Sequence, residues 1–90
     1  MDKIQALIVP ILMKYGVKRA ALFGSYARGD FDEKSDVDIL IQPPNGMGLG
    51  FVRLNRDLKK SLNKNVDLVS YNGISPYLRE SILQNMIKVL

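Results

Sequence analysis

Asp36 and Asp38 stand one residue apart at the mouth of an apolar run, Ile39-Leu40-Ile41. No other feature of the chain restricts its fold as much. Aspartate is depleted in strands and costly to take out of water. Alternate strand residues point to the same face. Asp36 and Asp38 therefore share one face of a strand over 36–41, with Leu40 behind them. Val37, Ile39 and Ile41 take the other face and can be buried. The acidic pair fits only at the solvent-open start of such a strand. Two carboxylates held that close repel strongly. A proton or a divalent cation relieves the repulsion. Magnesium takes oxygen ligands and is commonly held by one or two carboxylates together with substrate phosphates.

The segment before the pair supplies a complement. Val17 to Phe23 reads as a strand, broken by Gly24-Ser25. Ser25 could cap a short helical turn through Arg28, closed by Gly29, with 30–35 as loop. Glycine lets backbone approach a ligand closely. Amides at the start of the turn and the Ser25 hydroxyl could face a phosphate. A third carboxylate, Asp67, lies in the short apolar strand 66–70. Beside the first pair it would complete a triad, holding a metal or taking the proton of an attacking hydroxyl. Taken singly, Asp-x-Asp is usually solvated charge, Gly-Ser a simple turn and Asp67 a surface residue. Their combination at this spacing favours a functional reading.

The remainder reads as helices around those strands. Asp2 with Gln5 could form a capping box. Ile4, Leu7, Ile8, Ile11, Leu12 and Tyr15 follow helical spacing, with Pro10 expected to kink or split the helix and Gly16 to stop it. Residues 43–50 form a flexible connection. Phe51, Leu54, Leu58 and Leu62 mark a second long helix. Ser75-Pro76 opens a last one, whose apolar stripe runs Leu78, Ile82, Leu83, Met86, Ile87, Leu90. The order is α-β-α-β-α-β-α. A long helical link makes strands two and three a parallel pair, and the shorter excursion allows strands one and two to run antiparallel. The expected class is α+β, a small mixed sheet of about three strands covered by helices.

Ninety residues are expected to form one domain, 1–90. The formal charge of +4 is spread over scattered basic residues without a dense block, which does not favour nucleic acid as partner. With no cysteine and no histidine, thiol nucleophiles and zinc-thiolate sites are excluded. Acid–base chemistry falls to carboxylates, lysine or tyrosine. The apolar run Ala6 to Met13 is too short to span a bilayer and lacks the flanks of a signal peptide, so a cytoplasmic protein without membrane contact is expected. An EF-hand loop beginning at Asp30 would need glycine at 35 and glutamate at 41, where Ser35 and Ile41 stand. Phosphatases with an Asp-x-Asp nucleophile place it after the apolar run rather than before it.

Gly24-Ser25-Tyr26-Ala27-Arg28-Gly29 followed by Ser35-Asp36-Val37-Asp38-Ile39-Leu40 resembles the signature of the DNA polymerase beta-like nucleotidyltransferases. The short chain resembles their minimal (MNT) branch. The resemblance implies that Gly24 and Ser25 bind nucleotide phosphates, that Asp36 and Asp38 ligate two magnesium ions and that Asp67 is the third catalytic carboxylate and metal ligand. Arg28 could reach a phosphate or pair with Asp30 or Asp32, and Ser35 suits a turn or cap. The implied reaction is attack of an acceptor hydroxyl on the α-phosphate of ATP or another nucleoside triphosphate. Members of this branch act as antitoxins to a small helical HEPN toxin, and some transfer AMP to a tyrosine of it. Two alternatives stay open: an antitoxin that works by occlusion alone, and transfer to a small molecule. A homo-oligomer is compatible with the sequence. Tyr26 could stack on a base or simply pack, and no base preference can be read.

Overall fold

The computed structural model describes residues 2–90, and the Asp2 side chain of the expected capping box lies outside the described residues. The elements follow in the order α1 (Asp2–Lys14), β1 (Ala20–Phe23), α2 (Ser25–Arg28), β2 (Val37–Ile41), α3 (Gly50–Leu62) and β3 (Val66–Ser70). A 3-10 turn (Tyr71–Gly73), α4 (Pro76–Asn85) and β4 (Ile87–Lys88) complete the chain. The sheet order is β3-β2-β1-β4. Strands β2 and β3 run parallel, with α3 as their crossover, while β1 is antiparallel to both β2 and β4.

The period-2 pattern of the strands divides the core into two layers. Leu22, Val37, Ile39, Ile41 and Leu68 face α1 and α3, where they meet Ile8, Leu12, Leu54 and Leu58. Ala21 and Leu40 face the other way and meet Tyr71 and Ile74, with Ile82 and Leu83 of α4 and Met86 just after it packed on them. Asp38 stands two residues before Leu40 and pairs with Asp67, so both aspartates belong to the α4 face of the sheet. The thicker α1–α3 layer anchors the strands from behind. Their acidic ends are left at the thinner layer.

The structure revises the expected elements in three places. Helix α1 runs unbroken through Pro10, which is exposed. Strand β1 begins at Ala20 rather than at Val17, because Gly16 (φ 79°) and the Val17 amide, which donates to Leu12 O at 3.0 Å, still belong to the end of α1. The largest revision is a fourth strand. The apolar stripe assigned to a helix through Leu90 stops being helical at Asn85, and Met86 turns extended (φ −71°, ψ 154°). Ile87 and Lys88 pair with Leu22 and Ala21, and the Val89 amide donates to Ala20 O at 2.9 Å. Without them the outer edge of β1 would carry unpaired backbone groups. Pairing that edge outweighs helical periodicity over four residues. Among the described residues, no helix is long and apolar enough to cross a membrane.

Candidate active site

The strand register brings the acidic residues to one end of the sheet. Asp38 lies opposite Phe23 on β1 and opposite Asp67 on β3. Paired residues on neighbouring strands point to the same face, so the two carboxylates are side by side. Asp36 falls one residue before β2, whose first amide, Val37 N, is held by Asn65 O at 2.9 Å. Asp36 and Asp67 are exposed, and Asp38 is half-buried. Burial pushes the Asp38 carboxyl above its ordinary range, the negative charges of Asp67 and Asp36 push it further, and the Arg28 guanidinium acts the other way. Asp36, Asp38, Asp67 and Arg28 thus share one electrostatic neighbourhood.

Gly24 closes this neighbourhood from the β1 side. Its φ of 68° is left-handed, and a Cβ added to it would overlap Asp38 Oδ2. The bare backbone at this turn is what leaves room for the carboxylate. Gly24 O accepts the amides of Ala27 and Arg28, both at 3.1 Å, which starts α2. Gly29 (φ 82°) ends it. Ser25 is therefore the first helical residue rather than the cap.

The loop 30–36 is braced within itself. Ser35 Oγ accepts the Asp32 amide at 2.9 Å, and Asp32 Oδ1 accepts the Lys34 amide at 2.8 Å. Ser35 is a turn-holding residue, as its place suggested. Arg28 Nε donates to Asp30 Oδ2 at 3.2 Å with both side chains exposed. Such a surface pair contributes roughly 0–1 kcal/mol, so a phosphate could displace it. Tyr26 is buried and stacked on Phe31, ring centroids 4.3 Å apart. It packs, and is not free to stack on a base.

Two hollows flank the acidic end. One, of about 280 Å³, opens beside Gly24 and Arg28 and is walled by Phe23, Leu78 and Ile82, with Ser81 and Asn85 at its rim. The other, of about 510 Å³, lies between Asp36 and the end of α3, with Lys34, Lys59 and Lys64 along it. The α4 residues of the first hollow carry no sequence motif. They meet the turn only because α4 folds back over the sheet.

Among the described residues, no three acidic side chains are gathered so as to hold a metal ion by themselves. The donor set is nonetheless all oxygen, as a hard cation requires. The turn at Gly24, which a Cβ would fill, leaves room for the Asp38 carboxylate against bare backbone. These residues fit an ion that arrives with substrate phosphates as its remaining ligands.

Residues 7–90 match the model of the polymerase beta nucleotidyltransferase family. The chain belongs to that family. It is 47% identical over 90 residues to a Methanocaldococcus jannaschii protein that bears the provisional name protein adenylyltransferase MJ0435, covering 99% of this chain and 97% of that one. It is 34% identical over 77 residues to the protein adenylyltransferase MntA of Thermococcus cleftensis, covering 84% and 78% of the two chains. Among solved structures, a minimal nucleotidyltransferase superposes with a TM-score of 0.81 at 34% identity over 96% of this chain and 89% of its own. The MNT antitoxin complex of a tri-AMPylated Shewanella oneidensis HEPN toxin superposes with a TM-score of 0.75 at 21% identity over 99% and 71%. At that identity the likeness is one of fold. The small mixed α+β sheet expected for a nucleotidyltransferase is thus the fold the chain adopts, in its minimal form.

Proposed function

We propose that this chain is a magnesium-dependent protein adenylyltransferase that moves AMP from ATP to a hydroxyl of a HEPN-type toxin and so acts as its antitoxin. The observation that carries the reading is the register of Asp38 against Asp67 with the bare Gly24 turn pressed on the Asp38 carboxylate. The names of the relatives, protein adenylyltransferases, and the AMPylated toxin in one structural neighbour support the transferred group and the acceptor.

In this reading the Gly24–Ser25 turn and Arg28 grip the triphosphate, leaving the α-phosphorus over the acidic end of the sheet. The acceptor oxygen forms a bond to that phosphorus as the bond to the bridging oxygen breaks, and pyrophosphate leaves. Asp67, exposed at the edge strand, takes the acceptor's proton. Asp36, Asp38 and Asp67 would hold two magnesium ions, which neutralise the phosphates and the entering and leaving oxygens. The protein contributes position and charge.

Exposed apolar side chains on α4, Tyr77 at 96% and Leu78 at 58%, favour a second reading in which docking alone silences the partner. Incubation with α-labelled ATP, magnesium and a HEPN-type protein as partner separates the two. Adenylyl transfer leaves label on the partner and none when the metal is chelated. A partner that is silenced without acquiring label contradicts the enzymatic reading and leaves occlusion.

A further inference from the structure

The cleft of about 280 Å³ beside Gly24 and Arg28 has no role in the chemistry just described, yet it is continuous with the turn assigned to the phosphates. We infer that it receives the nucleotide base and that Asn85 reads the base, selecting adenine over guanine. The inference rests on the nucleotide-binding reading of the turn and extends it to a specificity-determining residue.

Three observations carry it. The first is continuity: Gly24 and Arg28 line both the turn and the cleft, so a nucleoside attached to phosphates at the turn has this hollow as its neighbour. The second is the wall. Phe23, Leu78 and Ile82 offer an apolar surface on which a flat ring can lie, and Leu78 is 58% exposed without a ligand. The third is the orientation of the Asn85 amide. Its Nδ2 donates to the Ser81 backbone carbonyl at 2.8 Å. A carbonyl oxygen only accepts, so this bond settles which end of the amide is nitrogen. The other end of the amide is Oδ1, an acceptor, on a residue that lines the cleft.

An acceptor at that position discriminates by chemistry. Adenine carries an exocyclic amine at its 6-position and can donate to Oδ1. Guanine carries a carbonyl oxygen there, which would face Oδ1 as a second acceptor and lose its water without gaining a partner. The other polar groups of the cleft cannot do this. The Ser81 hydroxyl both donates and accepts and so does not discriminate, and the Arg28 guanidinium is committed to the triphosphate in the reading above. One hydrogen bond gained against one mismatched acceptor corresponds to roughly a ten-fold preference.

The test is isothermal titration of the full chain, in magnesium, with the α,β-methylene analogues of ATP and GTP, whose Pα–C–Pβ bridge cannot be cleaved. Wild type should bind the adenine analogue about ten-fold more tightly. Asn85→Ala should bring the two affinities together, and Asn85→Asp, which keeps an acceptor oxygen, should retain the preference while weakening both. On the unaltered protein, ITP, with a carbonyl in place of the adenine amine, should bind like the guanine analogue. Equal binding of both analogues by wild type, or an unchanged ratio in Asn85→Ala, overturns the inference and leaves the nucleotide reading standing. Wild type that binds neither analogue overturns both.

Discussion

Replacement of Asp38 by asparagine is expected to abolish adenylyl transfer while making the metal-free protein more stable at neutral pH. The loss of transfer should be about 10³-fold or more, the scale of a group that stabilises charge developing in a transition state. The gain in stability follows from linkage. The folded environment, through burial and the charges of Asp67 and Asp36, raises the Asp38 carboxyl above its ordinary value of 3.8. Between that value and the raised one, the folded state holds the proton more tightly than the unfolded state. Stability therefore falls as pH rises through this window. Asparagine is similar in shape and carries no charge to desolvate or repel. Its melting temperature should exceed that of wild type at pH 7 in the presence of chelator, with the difference disappearing below about pH 4. Thermal melts across pH, paired with label transfer at pH 7, measure both halves. A variant that loses both activity and stability at pH 7 would mean that Asp38 holds the fold together rather than serving the reaction.

Gly24→Ala should be the most damaging single-methyl change in the chain. Two costs coincide at Gly24. The backbone of Gly24, at φ 68° and ψ −145°, lies in a region that essentially only glycine adopts, which costs another residue about 1–3 kcal/mol. The added Cβ also meets Asp38 Oδ2, so the carboxylate must swing out of place. Gly46 separates the two effects: its φ is 74°, and a Cβ there has nothing within 4 Å. Gly46→Ala should therefore lower the melting temperature by about 4–15 °C and retain transfer. Gly24→Ala should lose at least about 100-fold in transfer, as expected when a catalytic group is displaced by about 1 Å. Equal activity in the two variants would show that the close approach of Gly24 to Asp38 has no part in the reaction.

Much of this arrangement can be read from residue order, and the part that cannot has a physical reason. Asp36, Val37 and Asp38 announce their faces because the period of a strand is two. The helical link from Ile41 to Val66 requires β2 and β3 to be parallel, and that register sets Asp67 beside Asp38. What escapes a reading of the sequence depends on contacts between distant segments. Ile87 and Lys88 fit a helical stripe equally well, and only the unpaired edge of β1 makes them a strand. Gly24 can be recognised as a turn residue, but nothing local says that its missing Cβ is the space Asp38 occupies. Ser25 stands where a cap would, yet the backbone of Gly24 starts the helix one residue earlier. Tyr26 sits inside the motif and is committed to Phe31. Asn85 carries no motif, and its amide acquires a direction only from Ser81 one helical turn before it.

The central claim is that the acidic end of the sheet and the Gly24–Ser25 turn form one site for a metal-bound nucleotide. Crystals grown with manganese and α,β-methylene ATP, with anomalous scattering measured to locate the cation, test it most directly. Anomalous density is expected between the Asp36 and Asp38 carboxylates and the phosphates, with the triphosphate against Gly24 and Ser25. A cation held away from both aspartates, or a triphosphate bound elsewhere on the chain, would contradict it.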